Sequence, residues 1–234
     1  MPGEKTAGLE LERDLWRQGF RRVIGLDEAG RGAWAGPVFA GAVCLPPQLS
    51  DSDDQPQDLR MLLAGVRDSK QLTARAREAL IERITSNVLA WGVGSAAAEE
   101  IDAMGIVPAT CTAMRRALDA LSTQFPHVGA DFLLMDSIRC TAFELFTDVT
   151  LPHKAYIRGD SRSLSIAAAS VLAKVSRDHY MIEQESHYPG YGFAVHKGYG
   201  VPAHRRAIET RGATVLHRMT FSPLRETSSR PGGE

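Results

Sequence analysis

The stretch Val23-Ile24-Gly25-Leu26-Asp27-Glu28-Ala29-Gly30-Arg31-Gly32 decides the fold. A short apolar run ends in two adjacent carboxylates, and the glycines at 30 and 32 then mark a tight turn. Pro37 to Leu45 (PVFAGAVCL) is a second apolar run, so the two segments read as a β-hairpin. Pro46 to Asp58, rich in Pro, Ser, Asp and Gln, reads as an exposed loop. Residues 73 to 90 carry helical spacing, with Leu80, Ile81, Ile84 and Val88 on one face and Thr73 placed as N-cap. Trp91 to Ala98 reads as a strand, and Pro108 to Leu121 as a helix with Pro108 in its first turn. Phe132-Leu133-Leu134-Met135 is a buried-strand run ending at Asp136, and His153 to Ile157 is a further short strand. Ser163 to about Glu185 reads as a long helix whose Ala-rich first half (SIAAASVLAK) allows close packing on a sheet. His187 to Gly200 is an aromatic, Gly-rich structured loop, Pro202 to Thr210 a short helix, and Ser228 to Glu234 a frayed tail. Strands first, then strand–helix alternation, predict an α/β fold: a mixed sheet flanked by helices with a small C-terminal helical extension.

The 234 residues suit one domain over 21–224, preceded by a polar segment (1–20) and followed by a flexible tail (225–234). With 44% apolar and 24% charged side chains, the composition argues against disorder, collagen-like repeats and coiled coils. No apolar run approaches the roughly 18–20 residues of a membrane span, and Met1 to Arg22 lacks an apolar signal core. A cytosolic protein with no membrane partner is therefore expected. Cys44, Cys111 and Cys140 are scattered and odd in number, which reads as buried thiols rather than disulfides or a zinc site. Net charge is only −1, but residues 1–150 hold 15 basic and 21 acidic side chains against 12 and 7 in residues 151–234. A basic C-terminal third suits a polyanion, and an acidic remainder suits metal ligands.

Carboxylates are ordinarily solvated surface groups. Two core strands that each end in an acid are harder to dismiss, because neighbouring strands lie ~5 Å apart and bring Asp27, Glu28 and Asp136 together. Such a cluster repels itself unless a hard divalent cation neutralises it. Asp160 and Asp178 are the candidates to complete it. They lie 18 residues apart along what is mainly one helix, a separation of about 27 Å, so both cannot join one site. Asp160, at the helix entrance, is the better ligand; mid-helix Asp178, beside Arg177, reads as an ion pair or cap. The Gly30-Arg31-Gly32 turn exposes backbone to a phosphate or sugar edge. Downstream, HYPGYGF (187–193) and HKGYG (196–200) interleave aromatics with cations such as Lys197, a pattern suited to stacking and phosphate contact. Neither HExxH spacing nor a GxSxG elbow is present, which disfavours zinc and serine hydrolases.

In order along the chain, GLDEAGRG, GPV, DSKQL, GDSRSLSIAAASVLAKVSRD, YPGYGFAVHKGYG and HR…F closely resemble ribonuclease HII, from about Arg21 to Leu224. The resemblance implies a ribonuclease H-like fold and a two-metal endonuclease that uses Mg²⁺ or Mn²⁺. Its substrates would be RNA–DNA hybrids and duplex DNA with single embedded ribonucleotides. It also implies that Asp27, Glu28, Asp136 and Asp160 are the catalytic metal ligands. Gly30, Arg31 and Gly32 would grip the ribonucleotide, with Lys197 nearby and Tyr199 stacking at the RNA–DNA junction. A monomer is expected, with protein partners left open. Ala33-Trp34 replaces the family's usual Pro-Leu, and Ser137 its usual glycine; Trp34 is expected to alter substrate access. Two competing functions are a catalytically silent duplex-binding module, which would lack an acid, and a four-acid exonuclease or phosphatase, which would act from ends.

Overall fold

The computed structural model describes residues 7–48, 59–67, 69–136, 143 and 147–225. Five strands form one sheet: β1 (Val23–Ala29), β2 (Val38–Cys44), β3 (Ala90–Ala96), β4 (Phe132–Asp136) and β5 (His153–Tyr156), in the order β3-β2-β1-β4-β5. The expected hairpin is present. β1, β2 and β3 are antiparallel neighbours, whereas β4 lies parallel to β1 and β5 parallel to β4. This topology positions the site. Because β1 and β4 are parallel, with Leu26 beside Met135, the residues that follow, Asp27 and Asp136, come out side by side.

Eight helices accompany the sheet among the described residues: α1 (Glu10–Arg17), α2 (Leu59–Leu62), α3 (Ala74–Asn87), α4 (Ala98–Met104), α5 (Ile106–Gln124), α6 (Leu164–His187), α7 (Phe193–His196) and α8 (Pro202–Arg211). Side chains alternate across a strand. Val23, Val43 and Leu134 therefore face one core with Ile166, Ala168 and Val171 of α6, while Ile24, Leu26, Leu133 and Met135 face the other with Cys111 and Met114 of α5. The Ala-rich start of α6 lies directly on strand glycines. A Cβ on Gly25 would stand 2.4 Å from the Ile166 nitrogen, and one on Gly41 would stand 2.3 Å from the Ala169 carbonyl oxygen. α6 begins at a Ser163 cap whose hydroxyl accepts from Ile166 N–H, and Thr73 caps α3 by accepting from Ala76 N–H, as its position predicted.

Element types follow the sequence reading, with ends shifted by a few residues. α1, α2 and α4 are not anticipated, and the single turn of α7 lies within the stretch read as a loop. α1 lies within the polar N-terminal segment yet buries Leu15 and Trp16 in the α6-side core. Its Glu12 is fully buried and acts as a second cap on α6: Oε1 accepts from Ser163 Oγ (2.5 Å), Ser165 N–H (2.9 Å) and Ser165 Oγ (2.6 Å). A third, smaller core under the C-terminal helices joins Tyr191, Phe193, Ala207 and Leu216 to Ala35 and Met181. Cys44 and Cys111 are buried free thiols, pushed by burial up to about 12 and about 11. Cys140, Ser137 and the Ser228–Glu234 tail lie outside the described residues. No helix among the described residues is long and apolar enough to cross a membrane.

Candidate active site

Asp27, Asp136 and Asp160 meet where β1 and β4 end and the chain enters α6. One carboxylate oxygen from each lies within 4.8 Å of the other two, and all three residues are buried, at 3%, 6% and 5% exposure. Each is held by a local device. Asp27 Oδ1 accepts the Glu28 N–H at 2.7 Å, and the Asp27 carboxylate also has the Ser170 hydroxyl beside it, itself 2.8 Å from Ser69 Oγ. Asp136 Oδ1 accepts the Gly159 N–H at 2.7 Å, which ties β4 to the 3₁₀ turn Gly159–Ser161 that carries Asp160.

The cluster is electrostatically costly without a counterion. Burial, and then the charges of Glu28 and Asp136, push the Asp27 carboxyl well above the ordinary carboxylate range. Burial also raises Glu28, an effect its Arg31 ion pair only partly offsets. Asp27 Oδ2 and Glu28 Oε2 are buried with no hydrogen-bond partner among the described residues. Buried anionic oxygens are otherwise nearly always satisfied. An oxygen-only donor set with partnerless carboxylate atoms fits a hard divalent cation such as Mg²⁺ or Mn²⁺.

Next to this cluster, two buried guanidiniums hold the Gly30-Arg31-Gly32 turn against the Tyr199 loop. Arg218 donates to the carbonyls of Gly30 (2.8 Å), Arg31 (2.8 Å) and Gly36 (2.8 and 3.0 Å). Arg177 donates to those of Ala35 (3.0 Å), Pro37 (2.9 Å) and Lys197 (2.9 Å). The Trp34 and Ala35 N–H groups both reach the Gly198 carbonyl. Gly30, at φ +94°, backs onto Arg177, whose Nε would stand 2.0 Å from any Cβ there. Gly32 is exposed and faces open space. Tyr199 is half-buried, with Arg177 (5.2 Å) and Lys174 (5.6 Å) over its ring.

The ribonuclease HII family model matches residues 24–223 of this sequence. A curated ribonuclease HII of Chloroflexus aurantiacus is 48% identical over 218 residues, which is 93% of this chain and 94% of that protein. This chain belongs to the ribonuclease HII family. Two solved structures share the fold at lower identity. The ribonuclease H2 of Pyrococcus horikoshii superposes with a TM-score of 0.68 at 24% identity over 88% of this chain and 96% of that one. The Bst ribonuclease HIII, solved in complex with Mn²⁺, also gives 0.68, at 21% identity over 89% of this chain and 69% of that one.

Within this ribonuclease HII-family chain, the expected acids do not all fall into one group. Glu28 stands outside the Asp27–Asp136–Asp160 trio. The sequence reading required β1 to end or bulge at this point, but β1 stays regular through Ala29, which pairs with Phe39. Glu28 therefore projects to the opposite face from Asp27, where it pairs with Arg31 at 3.0 Å. Asp178 is an ion-pair residue, as read, bonded to Lys174 (2.5 Å) and Arg77 (3.4 Å). Lys197 sits in a left-handed conformation with its ammonium turned back onto the Ala194 carbonyl. Trp34 packs toward His204 (5.6 Å between rings) and fills the space a Cβ on Gly200 would need. Arg177 and Arg218 were not singled out from sequence. Arg177 lies among Lys174, Ser176, Asp178 and His179, and Arg218 beside His217, so neither stands out until its burial is known.

Proposed function

We propose that this chain is a divalent-metal-dependent endonuclease that hydrolyses the RNA strand of RNA–DNA hybrids. It also cuts 5′ of single ribonucleotides embedded in duplex DNA, leaving 5′-phosphate and 3′-hydroxyl ends. The observation that carries this reading is the buried trio Asp27, Asp136 and Asp160, with a partnerless oxygen on Asp27, in a chain of this family. These three residues, joined by Glu28 once it turns from Arg31, would hold Mg²⁺ or Mn²⁺, two ions when substrate is bound. The chemistry such ions supply is activation of the attacking water and stabilisation of the leaving 3′-oxygen.

The remaining work falls to the chain itself. Asp136 keeps the Asp160 turn against β4 through the Gly159 N–H. The open edge of the turn at Gly32 offers backbone polar groups to the ribose 2′-hydroxyl, the only group that separates RNA from DNA at a given sugar. Arg31 and Lys197 supply positive charge for the flanking phosphates. Tyr199 stacks on the neighbouring sugar, where deoxyribose fits and a second 2′-hydroxyl would crowd the ring. The test is an internally labelled duplex with one ribonucleotide. A single cut on its 5′ side, lost in EDTA and restored by excess Mg²⁺ or Mn²⁺, is expected. Trimming from the ends, or cleavage indifferent to EDTA, would refute the proposal.

A further inference from the structure

His196, His204 and His217 lie around the Tyr199 loop, and the backbone fixes the direction of their hydrogen bonds. A main-chain N–H only donates and a carbonyl only accepts. Thr214 N–H donates to His217 Nδ1 at 2.9 Å, so His217 carries its proton on Nε2. That nitrogen faces His204 Nε2 at 3.1 Å, which must accept. His204 therefore carries its proton on Nδ1 and donates it to the Tyr199 carbonyl at 3.0 Å. On the other side His196 Nδ1 accepts from Gly198 N–H at 3.1 Å, and its Nε2 donates to the Tyr191 carbonyl at 2.8 Å. The His196 and His204 rings stack with centroids 4.4 Å apart. His204 and His217 are 0% and 2% exposed, with Tyr191, Phe193 and Trp34 packed around them and Arg205 beyond Trp34.

We propose that His204 and His217 are positioning residues for reading the RNA–DNA junction: the one-way chain Thr214→His217→His204→Tyr199 fixes the Tyr199 backbone and so where its ring meets the sugar. This rests on the reading of Tyr199 given above. Burial holds both rings at about 4, so the chain is intact at neutral pH. A proton added to His204 would set two N–H donors face to face at the His204–His217 contact, and one added to His217 would set its Nδ1–H against the Thr214 N–H.

The test compares kcat/KM on a single-ribonucleotide duplex and on a long hybrid for the wild type, Tyr199→Ala, His204→Asn, His204→Gln and His204→Phe. An Asn amide nitrogen takes the place of Nδ1 and a Gln amide that of Nε2, so only Asn keeps a donor for the Tyr199 carbonyl. His204→Gln and His204→Phe should lower the single-to-hybrid ratio about fivefold, the worth of one hydrogen bond, in the same direction as Tyr199→Ala. His204→Asn, which keeps that donor but offers the His217 Nε2–H no acceptor, should fall between the wild-type ratio and that of His204→Gln. If His204→Phe does not fold, the Asn–Gln pair carries the comparison. Equal ratios for Asn and Gln, or equal losses on both substrates in folded variants, overturn the inference alone. An unchanged ratio in Tyr199→Ala overturns the reading of Tyr199 and the inference with it.

Discussion

Replacing Asp27 with Asn separates the cost of the acid cluster from its use. The amide keeps the side chain's shape, and its oxygen can still accept the Glu28 N–H that Asp27 accepts at 2.7 Å. What it removes is one buried negative charge whose neighbours lie within 4.8 Å. Two unit charges at that separation repel by about 3.5 kcal/mol at an effective dielectric constant of about 20. Part of this is already relieved in the metal-free protein, because the crowded Asp27 carboxyl binds a proton far more readily than usual. A net gain of about 1–2 kcal/mol remains, which for a domain of this size raises Tm by about 2–8 °C. The sign with pH follows from linkage. The native wild type binds more protons here than the unfolded chain, so its stability falls as pH rises through the carboxylate range. The advantage of Asp27→Asn should therefore widen from acid to neutral pH. Calorimetry in EDTA and then with Mn²⁺ reads both effects. Ions that bind only the folded state raise the wild-type Tm and should leave the variant unmoved, and cleavage by the variant should be abolished. An Asn variant that melts below wild type in EDTA, or that Mn²⁺ stabilises as strongly as wild type, would refute this reasoning.

Arg218→Met removes four N–H···O=C bonds to the carbonyls of Gly30, Arg31 and Gly36. It should cost about 3–5 kcal/mol in urea unfolding and slow cleavage of both substrates; a loss under about 1 kcal/mol would show that the turn stands without it. Glu12→Ala strips three hydrogen bonds from the entrance of α6 and leaves the Ser165 N–H buried without its acceptor. The expected cost is about 2–4 kcal/mol, read as a lower urea midpoint at unchanged m-value. For His204 and His217 the folded values of about 4 lie below the ordinary 6.5. The unfolded chain then binds more protons between pH 6.5 and 4, so this contribution is complete above 6.5 and is lost on acidification. The two coupled rings together are worth about 3–5 kcal/mol over that window. Unfolding free energies at pH 7 and 4.5 for wild type and His204→Asn check it, and equal pH slopes in the two proteins would contradict it.

The sheet was legible because its strands are apolar runs bounded by turns and acids, and because the Ala-rich start of α6 answers the glycines at 25 and 41 that it covers. Asp136 and Asp160 could be chosen from sequence on strand ends and helix length alone. That logic also removed Asp178, which is bonded to Lys174 and Arg77. Glu28 was not legible in the same way. Alternation along a strand was readable, but whether β1 stops at Asp27 depends on its pairing with β2, a long-range fact that no local pattern carries. α1 was hidden for a different reason. Leu11, Leu15 and Trp16 keep helical spacing but span barely two turns of a charged segment, and the burial of Glu12 depends on two serines more than 150 positions away in the chain. The same holds for Arg177 and Arg218, since a buried guanidinium looks like any surface arginine until the carbonyls it holds are known. Trp34, expected to alter access to the turn, packs on His204 and over Gly200, contacts that no local pattern announces.

Anomalous scattering from crystals of the chain grown with Mn²⁺ and a duplex carrying one ribonucleotide tests the central claim most directly. Two peaks are predicted at the ends of β1 and β4, with Asp27, Asp136 and Asp160 oxygens at about 2.1 Å and Glu28 turned from Arg31 to complete the set. No peak in contact with Asp27, or Mn²⁺ bound only elsewhere on the chain, would contradict the account.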